Sequence, residues 1–92
     1  DVSGYFWLFY ASKYIPKNIQ YIANMAFWDC KKLRKVIFEP TVPPTFNGSS
    51  VFYGCPSDLK IYVPDTSLNA YKTAEFYDNL ANKIYPISSL TD

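Results

Sequence analysis

The sequence predicts an α+β fold: the end of a β/α solenoid, with short parallel strands, short helices or turns between them, and a capping helix near the C-terminus. Three observations carry this. Ala26-Phe27-x-x-Cys30-x-x-Leu33 is echoed by Val51-Phe52-x-x-Cys55 and then Leu59. The apolar position six residues after each Cys is filled, by Val36 and by Ile61. Pro16, Pro40 and Pro64 are evenly spaced, 24 residues apart. A period in the twenties marks units that cannot bury their apolar face alone and so stack on one another.

Each element follows from local chemistry. Strands are expected over 33–38 and 59–63, each ending at or just before a Pro that cannot continue a ladder. The Ala-Phe and Val-Phe segments ahead of each Cys read as short helices or turns, with Phe27 and Phe52 pointing inward. After Pro64, any of Asp65, Thr66 and Ser67 can cap a helix through Ala70, Tyr71 and Lys72. Leu68, Tyr71 and Phe76 lie at helix-compatible spacing to pack on the last coil. "NKIYPI" is expected to extend and pair with the edge of the final strand, which uncovered would invite aggregation.

At these residues the chain resembles a known family. "YIPKNIQYIANMAFWDCKKLRKVIF" is similar to one repeat of the BspA-type leucine-rich repeats of bacterial surface proteins, through Ile15-Pro16, Ile19, Ile22, Ala26-Phe27, Cys30 and Leu33. "IYVPDTSLNAYKTAEFYDNLANKIYPI" resembles the closing segment of such arrays, and "PTVPPTF" the linker before the last repeat. The resemblance covers about residues 14 to 88. Departures are Ala23 where the family usually has Gly, Pro56 inserted between Cys55 and Leu59, and a first half of the second copy without Ile-Pro or Ile-Gly marks. Such changes suit an array's end. The expected division is a leucine-rich-repeat-like single domain: 1–13, a remnant of an upstream coil or a docking segment; 14–40, a repeat; 41–64, a degenerate terminal repeat; 65–88, a cap. The chain begins at Asp1 without Met, which reads as a fragment of a longer array.

Composition limits the functions open to it. There is no His, hence no common general base and none of the commonest metal ligand. Two Cys cannot build a tetrahedral zinc site, and Gly4, Gly48 and Gly54 are too scattered for a phosphate loop. No pair among the eight carboxylates has a catalytic context. Neither an enzyme, a metal nor a cofactor is expected. The net charge of +1 argues against nucleic acid, and no apolar run approaches the roughly 20 residues that cross a bilayer.

Stacked Cys30 and Cys55 would sit ~4.8 Å apart, whereas disulfide Cβ atoms prefer about 3.8 Å, so both read as buried free thiols. "KKLRK", Lys31 to Lys35, reads as a solvated strand side, and Asn47-Gly48 as a turn rather than a glycosylation site. If Leu33, Val36 and Phe38 face the core, then Lys35 and Ile37 face outward, with Lys60 and Tyr62 stacked beside them. That laddered, exposed face is the candidate binding site. The resemblance implies a non-catalytic adhesion or recognition module at the cell surface or secreted, engaging host proteins, neighbouring cells or glycans. The alternative is a structural terminal domain of a virion or other large assembly. "GYFWLFY", residues 4–10, is then a self-association segment or a surface bared by removal of upstream coils.

Overall fold

In a computed structural model of the chain, residues 12–90 are described; the aromatic segment 4–10 lies outside them. Among the described residues there are six short strands: β1 (Ser12–Ile15), β2 (Tyr21–Ile22), β3 (Lys35–Phe38), β4 (Thr45–Phe46), β5 (Lys60–Val63) and β6 (Ile84–Pro86). A helix, α1 (Leu68–Thr73), lies between β5 and β6, with 3-10 segments at Asp65–Ser67, Asp78–Lys83 and Ile87–Ser89. β1, β3, β5 and β6 form one parallel sheet in that order, and β2 pairs with β4 in a second. Short parallel strands with few helices make this a repeat β/α fold.

Register shows why the sequence repeats. Lys35 lies opposite Lys60, Val36 opposite Ile61 and Ile37 opposite Tyr62, so equivalent positions of the two copies are neighbours across the ladder. Ile61 in turn pairs with Ile84 and Tyr62 with Tyr85. "IYP" therefore covers the edge of β5, as expected. On the other side β1 pairs with β3 and straddles the expected boundary at residue 13.

Both long strands start later than the sequence suggests, at Lys35 and Lys60 rather than Leu33 and Leu59. Each Leu belongs instead to a tight turn: the Leu33 amide donates to Cys30 O and the Leu59 amide to Pro56 O, both at 3.1 Å. Both side chains are nonetheless buried. The residue inserted at Pro56 is absorbed here, because Arg34 separates Leu33 from β3 while Leu59 runs directly into β5.

The core lies between the inner face of the large sheet, the β2–β4 side and the turns. Val36, Phe38, Ile61, Val63 and Ile84 enter it from the strands, with Ile22 and Phe46 from β2 and β4. Phe27 and Phe52 point inward as expected and stack, with ring centroids 5.4 Å apart and planes 8° from parallel. Backbone in the left-handed region occurs at Met25, Asp29, Gly54 and Phe76 among the described residues, and not at Ala23. Asp29 and Gly54 are equivalent positions just before Cys30 and Cys55. Gly suits the second because a Cβ there would crowd the Asp29 side chain as well as strain the backbone.

The helix after Pro64 forms later than its capping residues suggest. Residues 65–67 make a 3-10 turn first, and Ser67 provides no side-chain cap. Its hydroxyl is already used, donating to Thr41 O at 2.6 Å. Tyr71 is fully buried and donates its hydroxyl to Pro40 O at 2.5 Å. Tyr77, beyond the helix, does the same to Pro44 O at 2.7 Å. Two buried phenols thus hold the Pro-rich stretch 40–44, whose prolines offer carbonyls but no amide donors.

Burial pushes both phenols well above the usual tyrosine range, and for Tyr77 the neighbouring Tyr71 adds to the effect. A raised acid retains its proton in the folded chain above pH ~10, where the unfolded chain loses it. Stability from this source is complete below pH ~10 and falls as pH rises beyond it, by up to about 1.4 kcal/mol per pH unit for each group. Urea midpoints should therefore drop steeply in alkali, and a Tyr71→Phe, Tyr77→Phe variant should lose most of that slope.

Candidate binding surfaces

Alternation along the strands sends Lys35, Ile37, Lys60 and Tyr62 to the outer face of the large sheet, since Val36, Phe38, Ile61 and Val63 are in the core. In this respect the predicted face is the observed one. The full row is longer: Tyr14, Ile37, Tyr62 and Tyr85 are consecutive partners across the four strands.

Exposure corrects the sequence reading. Ile37 and Tyr62 are only 7% and 8% exposed, not open to solvent. The middle rungs of a ladder are shielded by the rungs on either side: Ile37 sits between Tyr14 and Tyr62, and the Tyr62 ring lies 5.9 Å from that of Tyr85. The open aromatic positions are the ends of the row, Tyr14 (55%) and Tyr85 (36%). Lys60 is exposed and Lys35 partly so. The Lys60 ammonium stands 5.6 Å from the Tyr85 ring centroid, within reach of a cation–π contact. The surface is a shallow, partly apolar row edged by two adjacent cations.

The sequence reading missed a second surface, made by the turns. Asn24 binds its counterpart turn twice: its amide donates to Asn47 Oδ1 at 2.5 Å, and its side-chain carbonyl accepts from the Ser50 amide at 2.8 Å. The Phe27 and Asp29 amides donate to Val51 O and Tyr53 O. The two turns are therefore held in step. Trp28 falls next to Tyr53, with ring centroids 6.2 Å apart and planes 15° from parallel, and both are about half exposed or more. The signal was available: the spacer after each repeat Phe is aromatic. Beside Trp28, Asp29 and Lys31 form a 2.8 Å ion pair.

Cys30 and Cys55 are free and half-buried. The Cys55 thiol donates to Phe27 O at 3.2 Å. Burial pushes both thiols up, and nearby Asp29 acts in the same direction on each. They are poor nucleophiles at neutral pH. Among the described residues no cluster of three His, Cys, Asp or Glu could hold a metal. No helix there is long and apolar enough to cross a membrane.

These features define a repeat protein whose side chains form laddered surfaces. A family described as "BspA type Leucine rich repeat region (6 copies)" matches residues 8–92, and the chain belongs to it. Repeats of this type are typical of surface and secreted bacterial proteins. No curated protein matches the chain.

Proposed function

We propose that the chain is a non-catalytic recognition module of a cell-surface or secreted protein, the end of a repeat solenoid closed by α1 and β6. It engages a protein or glycan of a host or neighbouring cell through the outer face of the large sheet. The observation carrying this reading is the unbroken row Tyr14–Ile37–Tyr62–Tyr85, flanked by Lys35 and Lys60, on one rigid sheet. Buried middle rungs hold the exposed ends in place, so little side-chain freedom is lost on binding. The two cations favour an acidic partner surface and steer its approach.

The test is a screen of the chain against extracellular-matrix proteins, glycans and host cells, with light scattering on the same samples. Lys35→Glu with Lys60→Glu is the informative variant, because these side chains are not in the core, whereas charges at Ile37 or Tyr62 would unfold the sheet. Binding by a monomer that falls at least about tenfold in the variant, at unchanged melting temperature, is expected. No binding by the parent chain, together with a discrete oligomer, would replace this reading with a structural role inside an assembly.

A further inference from the structure

Two columns of parallel rings run across the repeats and stop at the same place. Phe27 stacks on Phe52, and Trp28 on Tyr53. One repeat further on, the position equivalent to Phe52 is Tyr77. It does not continue the column. Its ring turns inward onto Phe46, with centroids 3.9 Å apart, and its hydroxyl binds Pro44 O. The position equivalent to Tyr53 is Asp78, which is exposed.

The next rung is accordingly missing, and a cavity of about 190 Å³ lies there. Phe52 and Tyr53 line it where the columns end, with Phe76 and Leu80 as further apolar walls. Phe76 holds this place with a backbone φ of 69°, a conformation that a bulky aromatic rarely adopts. Ser49 and Asn79 supply the polar part of the wall. Neither side chain makes a hydrogen bond among the described residues, so their donors and acceptors are free for a ligand.

We propose that this cavity, with Tyr53 at its edge and Trp28 stacked behind Tyr53, is a subsite for one neutral pyranose ring of a glycan. The concavity is open on one side, so a single six-membered ring can seat in it while the rest of an oligomer stays outside. None of the lining residues is an acid or a base with a charge at neutral pH, which disfavours anionic sugars and phosphates. A pyranose presents an apolar C–H face and a rim of hydroxyls. The first matches the ring faces of Phe52 and Tyr53, and the second matches Ser49 and Asn79. A partner's aromatic side chain would cover the rings equally well but carries at most one polar group for the Ser49 and Asn79 side chains, where a pyranose rim carries several hydroxyls. The site is separate from the strand row, so either can fail without the other.

The experiment uses the chain with Trp7→Phe, which leaves Trp28 as its single tryptophan. Emission is followed on titration with triacetylchitotriose and with maltotriose, both neutral pyranose oligomers. A saturable change at millimolar concentration with at least one of them is expected. Asn79→Ala, which leaves the Trp28–Tyr53 stack in place, should weaken it by about tenfold at unchanged melting temperature. Lys35→Glu with Lys60→Glu should leave it intact. No saturable change with either sugar would overturn the proposal, as would a response that survives Asn79→Ala. Equal or tighter binding of N-acetyltyrosinamide would overturn it in favour of an aromatic side-chain pocket.

Discussion

Tyr77→Ala is expected to unfold most of the protein at room temperature. The side chain is 1% exposed, stacked on Phe46 and edge-on to both Phe38 and Tyr71. Removing a buried ring of this size costs roughly 3–5 kcal/mol. The change also strips Pro44 O of its donor in the interior, at about 1–3 kcal/mol more. Together these come to about 4–8 kcal/mol, comparable to the stability at the lower end of the ~5–15 kcal/mol range, where a chain of this size belongs. Urea denaturation followed by circular dichroism checks it. Tyr77→Phe, which keeps the ring and removes only the hydroxyl, should cost about 1–3 kcal/mol. Equal losses in the two variants would show that the aromatic cluster contributes little and that the carbonyl contact is the whole effect.

Phe27→Ala should cost about 3–5 kcal/mol, because the ring is buried in the core and stacked on Phe52. For a domain of this length, that is a fall of roughly 12–40 °C in melting temperature at about 4–8 °C per kcal/mol. Phe52→Ala should be similar. The pair is stacked nearly parallel at 5.4 Å, so the double variant should lose less than the sum of the singles, by about 0.5–1.5 kcal/mol. Thermal melts of the three variants give the coupling directly. Strict additivity would mean that the two rings are buried independently rather than as rungs of one column. A nearly neutral Phe27→Ala would contradict the inward placement itself.

Much of the fold was legible because its repeat is written in apolar spacing. Phe27 and Phe52, Val36 and Ile61, and the two cysteines hold equivalent places in sequence and in space, since a parallel ladder puts equivalent positions side by side. The strand-ending prolines were informative for the same reason: Pro16, Pro40 and Pro64 follow β1, β3 and β5 closely. The outer face of the sheet was legible in direction but not in exposure. Alternation says which way Ile37 and Tyr62 point, and it carries no information on how far Tyr14 and Tyr85 shield them. Nor could spacing reveal that Ser67, a suitable cap by residue type, spends its hydroxyl on Thr41 in another segment.

The sequence by itself determined the period, the inward positions, the outward direction of Lys35, Ile37, Lys60 and Tyr62, and the lack of histidine. These depend on residue type and on the two-residue alternation of a strand, both local. The tertiary structure alone decided three things. It folded Tyr71 and Tyr77 back onto carbonyls 31 and 33 residues earlier, interrupting the ring columns and opening the cavity beside Phe52. It brought Trp28 against Tyr53 as an exposed pair. It buried the middle of the outer row and left its ends open. Each depends on contacts between distant segments, where a hydrogen-bond partner or a shielding ring is set by the path of the backbone and leaves no mark on the spacing of residues along the chain.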